Sequence, residues 1–338
     1  MRDLVETVAK GEFLGPMSRF RWLNIARRYG FTVSNPHLSE AAHWEAALEH
    51  YQWDRLHEAF ELVRGNGVGE SGILLKHYRL IEAEYITRQK GVVRTVNDWL
   101  SIEFLPSELM GLESDLAARI LAGCEEIAQR LDWKHTQLTR VAILAEETDA
   151  DWATYPFGYC ITKEPYEKIC LPNYLLDDPD EFHRAVAHEY AHVISSLLSD
   201  ANAPRWLEEA ISVLAEGAID DEISREFMNG TFRWLKPDEL ESVLESRGDE
   251  TAELDPVLRA YQQSGWIGRY LHSVGSDIQI RNLLTECGNE QILTNLKLQL
   301  LGRDRVDGAM KSVYDLSLKQ VFDNAFQYLC MSTTLVDQ

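Results

Sequence analysis

The stretch EFHRAVAHEYAHVIS, residues 181–195, decides how the rest of the chain is read. It places His188 and His192 four positions apart, with Glu189 directly after the first histidine. On an α-helix, residues four apart lie on one face, one turn from each other. Both imidazoles can then present a ring nitrogen to one metal ion, and the glutamate one step round can reach a water on that ion. The arrangement needs a helix, and the sequence predicts one. Asp180 is the expected N-cap, with Phe182 just inside. Val186, Tyr190, Val193 and Leu197 recur at helical spacing and predict a buried stripe. Small residues, Ala185 with Ser195 or Ser196, flank the histidine face and leave room for an ion and a substrate. His183 lies five positions before His188 and points about 140° away on the helix, so it reads as a surface or structural residue.

A catalytic zinc needs a third protein ligand and an open position for water. The segment APRWLEEAISVLAEG, 203–217, supplies the acid. Pro204 and Arg205 open a second helix, and Trp206 and Leu207 pack it. Ala210, Val213, Leu214 and Gly217 mark its buried side, and a glutamate beside that side reads as functional. Glu208 is accounted for as an acidic residue in a first helical turn, where the helix dipole favours it. Glu209 is less easily explained that way and is the candidate third ligand. Sixteen residues separate His192 from Glu209, enough for a turn and an antiparallel return.

These residues resemble the gluzincin metallopeptidases, the group that includes thermolysin and the zinc aminopeptidases, and more closely the peptidase MA-like family. In that group an HExxH helix is followed by a helix beginning W-L-x-E-G, whose glutamate is the third ligand. Trp206-Leu207-Glu208-Glu209-Ala210 matches, and departs at Ala210, where the family usually has glycine. The resemblance implies a thermolysin-like zincin domain of class α+β, a small sheet plus helices, holding one zinc ion per chain. It implies His188, His192 and Glu209 as ligands and Glu189 as general base for hydrolysis of a peptide or protein substrate. It gives Glu216 as a carboxylate orienting a ligand histidine. It also gives Tyr261, in AYQQSGWIGRYL (260–271), as the phenol that stabilises the oxyanion, with Ser264 in place of a family glycine. The family pairs an edge strand with the substrate backbone, and 157–162 or 167–172 is the candidate. The tail at 306–329 resembles the family's C-terminal end, so the likeness covers roughly residues 110–330. The exopeptidase segment G-x-M-E-N has no counterpart here, so exo- and endopeptidase action stay equally open.

Outside the site, 39–64 and 73–90 read as two helices around the turn GNGVGESG (65–72), with Gly91 as a stop signal. This hairpin resembles one tetratricopeptide-like unit, with no second copy at a fixed period. A boundary at FLPSEL (104–109) divides a helical N-terminal region, 1–105, from the metallopeptidase-like domain, 106–338. Leu116, Ala117, Ile120, Leu121, Cys124, Ile127 and Leu131 then mark an amphipathic helix. LTRVAILAEE (138–147), FGYCIT (157–162) and EKICLP (167–172) are β-rich, the last two suited to a hairpin. The order, helix then strands then many helices, is that of an α+β domain.

Composition narrows the classes. The net charge of −22 repels phosphate backbones, which argues against nucleic acid as a partner. Five cysteines with no C-x-x-C are not a disulfide framework and fit a reducing compartment. The N-terminus lacks a signal-peptide core and no run of about 18 apolar residues occurs, so a cytoplasmic protein without a membrane span is expected. A second reading competes with the enzyme: a zinc-binding but inactive or specialised protein that recruits a protein partner through its N-terminal helices. The intact Glu189 argues against it, because a structural zinc site does not need that carboxylate.

Overall fold

The structure, a computed structural model, describes residues 87, 90–106, 113–144, 158–161, 167–217, 219–245, 254–289 and 305–334. The expected helical hairpin at 39–90 lies almost wholly outside the described residues. Its stop signal is within them: the Gly91 N–H donates to Thr87 O at 2.7 Å. A side chain there would collide with Thr87 O and crowd Phe104 O, so the close approach requires glycine.

A five-stranded mixed sheet follows, β1 (Val92–Thr95), β2 (Leu100–Phe104), β3 (Thr139–Leu144), β4 (Tyr159–Ile161) and β5 (Glu167–Pro172), in the order β1-β2-β3-β5-β4. The three central strands, β2, β3 and β5, run parallel, and both edge strands are antiparallel to their neighbours. The central strands are buried almost throughout, as parallel strands covered on both faces are. Every residue of β1 is exposed. The hairpin expected from 157–162 and 167–172 forms, with Tyr159 opposite Cys170 and Ile161 opposite Lys168. Of these two candidate edge strands, β4 lies at the edge; β5 is interior, paired with β3 and β4.

One expectation is corrected by the sheet. Residues 92–104 were expected to close a helical region ending at 105; they are β1 and β2, in the same sheet as β3. VVRT is too short for periodicity to separate strand from helix, whereas LSIEF alternates apolar and polar residues as a strand does. The parallel neighbours β2 and β3 are joined through α1 (Glu113–Arg130), a β-α-β crossover within an α+β arrangement. In α1, Leu116, Ala117, Ile120, Cys124 and Ile127 are buried as expected.

The described residues divide into two compact units. One holds the sheet, with residues up to 121 and 136–182; the other holds residues 122–135, 183–245 and those from 254 on. The second unit is helical: most of α2 (Pro179–Ser199), then α3 (Arg205–Glu216), α4 (Asp221–Met228), α5 (Pro237–Glu245), α6 (Leu254–Gly288), α7 (Arg305–Tyr314) and α8 (Leu318–Thr334). Helix α6 is broken at Ser276, whose φ of 69° no helix accommodates. Phe227, Trp266 and Leu329 form one core cluster of this unit, extended by Trp234, Phe326 and Tyr328. No helix among the described residues is long and apolar enough to cross a membrane.

The crossing of α3 and α6 is tight. A Cβ added at Gly268 would stand 2.2 Å from the Ala210 carbonyl oxygen, and one at Gly265 would stand 2.5 Å from Val213 Cγ1. The contact at Gly268 is backbone against side-chain-free backbone, so neither partner can rotate away. Gly268→Ala should therefore lower stability by about 1–3 kcal/mol, as overpacking of a dense core does. Chemical denaturation of the purified variant measures it.

Candidate metal centre

Helix α2 begins where Pro179 fixes the first helical φ. Its cap is Asp178, not the expected Asp180: Asp178 Oδ1 accepts from the backbone N–H groups of Asp180 and Glu181, both at 3.0 Å. The reason is local. Pro179 suits the first helical position, which leaves the acid before it to act as cap and puts Asp180 inside the first turn. Val186, Tyr190 and Val193 are buried as the spacing predicts, and Leu197 is half-buried. Burial extends further round than a stripe, taking in Ala185, Ala187, Ala191, Ile194, Ser195 and Ser196. Such all-round burial gives α2 little freedom to rotate. His183 pairs with Glu126 of α1 at 2.9 Å on the surface, the structural role expected for it.

Helix α3 has no side-chain cap of its own, because Pro204 offers none. Glu241 of α5 supplies it instead. Its two carboxylate oxygens accept from the N–H groups of Arg205 at 2.8 Å and Trp206 at 3.0 Å. A carboxylate at a helix N-terminus is favoured by both the hydrogen bonds and the dipole. At the other end Gly217 closes the helix in the left-handed conformation, φ 76°, and is exposed rather than part of the buried side.

The two helices bring three ligand atoms together. His188 Nε2 and His192 Nε2 are 3.3 Å apart, and Glu209 Oε2 stands 3.4 Å from His192 Nε2 and 3.6 Å from His188 Nε2. Atoms bound about 2.0–2.1 Å from a tetrahedral zinc stand roughly 3.3–3.4 Å from one another. The three separations thus match the edges of one face of such a tetrahedron. Among the described residues this buried group could hold a metal ion. Glu209 has no exposed surface, while the two imidazoles keep a tenth or so of theirs.

Neighbouring groups complete the charge pattern. Glu216 Oε2 lies 3.1 Å from His188 Nδ1. When the imidazole is neutral, an Nδ1–H donated to that carboxylate leaves the Nε2 lone pair facing the other two ligand atoms. Arg205 Nε donates to Glu209 Oε1 at 3.1 Å. Tyr261 sits in the second turn of α6, half-buried, beside the Arg205 side chain and close enough to act on its charge. Glu189 is buried on α2, and its charge is felt at His188. One tie holds α2 from outside the ligand set: His135, in the loop after α1, is hydrogen-bonded through Nδ1 to the Tyr190 hydroxyl.

Burial disfavours charge on His188, yet the hydrogen bonds to Glu209 and Glu216 and the nearby Glu189 outweigh it and push its pKa up to about 10. Burial likewise works against the Glu209 carboxylate, but His192 and Arg205 hold it well below the usual carboxylate range. Burial raises Glu208. Three carboxylates thus act on His188, and a cation held there would take the place of the imidazole proton as their counter-charge.

Sequence reasoning selected His188, Glu189, His192, Glu209, Glu216 and Tyr261, and the structure gathers all six within one helical unit. It missed Arg205 and Glu241. The i,i+4 spacing of Arg205 and Glu209 was available as a signal, although such pairs are common on exposed helices. Nothing in the local sequence marks Glu241, which acts across 35 and 36 residues. A scan against family models and searches of curated proteins and of solved structures return no match to this chain.

Protein purified without a histidine tag should carry about one metal ion per chain, as one closed three-residue donor set allows. His188→Ala and Glu209→Ala should abolish it, and Glu216→Ala should weaken it roughly 10–100-fold, the usual cost of losing a group that orients a ligand histidine. Elemental analysis and competition with a chromophoric chelator measure both.

Proposed function

We propose that the protein is a zinc-dependent peptidase of the gluzincin type, with His188, His192 and Glu209 holding the ion. The observation that carries the reading is the convergence of two imidazole nitrogens and one carboxylate oxygen at 3.3–3.6 Å, with Glu189 adjacent to a ligand on the same helix. Two nitrogens and one oxygen suit zinc better than calcium or magnesium, which favour all-oxygen sets. Three protein ligands leave a coordination position open, as a hydrolytic site requires and a structural one does not. A mixed sheet with an antiparallel edge strand, followed by the ligand helices, is compatible with a thermolysin-like domain.

Held by His188, His192 and Glu209, a zinc ion would supply Lewis acidity toward a substrate carbonyl and toward water. The chain's own residues do the rest. Glu189, a buried carboxylate, takes the proton from the attacking water and delivers it to the amine that leaves. Glu216 keeps His188 in the tautomer that offers Nε2. Tyr261 is the hydrogen-bond donor proposed for the carbonyl oxygen as negative charge develops on it. The substrate is a peptide or protein chain.

Glu189→Gln separates metal binding from chemistry, because it removes the base while keeping the side chain's shape. The variant should bind zinc as the parent does and lose peptide hydrolysis by at least about 100-fold. Hydrolysis of a mixed peptide library, followed by mass spectrometry, reads it. Full activity in the variant would overturn the mechanism.

A further inference from the structure

The two oxygens of Glu209 face different partners. Oε2 stands 3.4 and 3.6 Å from the imidazole nitrogens, whereas Oε1 accepts from Arg205 Nε at 3.1 Å. We propose that Arg205 is the positioning residue that makes Glu209 a one-oxygen metal ligand, holding Oε1 so that only Oε2 is offered to the ion. The inference rests on the reading of His188, His192 and Glu209 as a metal site, and it does not depend on peptide hydrolysis.

Three features support it. Glu209 is fully buried, so the oxygen turned away from the imidazoles still needs a charged partner, and Arg205 is placed to supply it. Arg205 is itself fixed at both ends. Its backbone N–H donates to Glu241 at 2.8 Å, and its guanidinium lies beside Tyr261. A guanidinium also has several donors in a rigid plane, so one can hold Glu209 while others face Tyr261 or solvent; a lysine ammonium lacks that geometry. The side chain is about one-third exposed, so it bridges a dry ligand and the solvent side of the site. The chemical consequence is a limit on coordination number. A carboxylate free to bind through both oxygens suits larger ions with more ligands, whereas one restricted to a single oxygen favours a four-coordinate site.

The test is a zinc competition titration of the metal-free full chain at neutral pH, comparing the parent with Arg205→Met and Arg205→Lys, each checked for native helix content by circular dichroism. Arg205→Met keeps the stem's bulk and removes the donors, and should weaken zinc binding roughly 10–100-fold. Arg205→Lys keeps the charge and should recover part of that loss. Unchanged or tighter binding by Arg205→Met would overturn the inference. So would Arg205→Lys binding no better than Arg205→Met, since packing of the stem would then account for the effect. Should the variants fail to fold, X-ray absorption on the zinc-loaded parent decides. One carboxylate oxygen at ligand distance is expected, and two would overturn the proposal. A parent that binds no zinc overturns the metal site and this inference together, whereas a parent that binds zinc without cleaving peptides overturns only the peptidase.

Discussion

A carboxylate with no exposed surface sits where two helices meet, and that is the constraint on which the centre depends. Removing the charge of Glu209 from water costs several kcal/mol unless partners surround it. The partners are Arg205 on its own helix and His188 and His192 on the other. Their demands fix the rotation of each helix and the distance between them. Glu241 holds the start of α3 through its backbone, and Gly268 lets α6 press directly on the chain at Ala210. The ligand set is thus the visible part of a larger assembly whose other members touch no ion.

The distribution of charge follows the same logic. Glu189, Glu209 and Glu216 crowd around His188, an arrangement that repels itself unless positive charge lies among the carboxylates. A protonated imidazole would meet that need in part, and a divalent cation would meet it more fully. An ion bound among these carboxylates would therefore couple to local order, because it would relieve a repulsion that the fold has built in.

Legibility in the sequence tracks locality. The pair His188 and His192 could be read because four residues of helix determine their relation completely. The burial of Val186, Tyr190 and Val193 came from the same periodicity. Asp180 was expected as the cap, but Pro179 takes the first helical position and leaves the role to Asp178. Glu209 could be separated from Glu208 only by asking which of the two lies next to the apolar side. The exposed strand β1, VVRT, carries no alternation to read, whereas β2, LSIEF, alternates strictly over five residues and was legible as a strand, with Ser101 and Glu103 buried rather than facing water. Glu241 was beyond reach for a different reason. Its role depends on how α5 docks against α3, and no short-range rule contains that information. The helical spacing suggested the role of Glu189, the resemblance suggested that of Tyr261, and distances supplied the relation of Arg205 to Glu209.

The cap on α3 bears on portability. A metal centre specified by a helix motif and a nearby glutamate looks transplantable: residues 179–217 contain every proposed ligand and the carboxylate behind His188. Yet the first turn of α3 is closed by Glu241, and its inner face is seated against Gly268, both outside that segment. A graft of the two ligand helices onto another scaffold would carry the donors and leave behind the parts that hold them in register. The smallest self-sufficient version of this centre is set by its clamps rather than by its ligands, and it runs from α2 through the first half of α6.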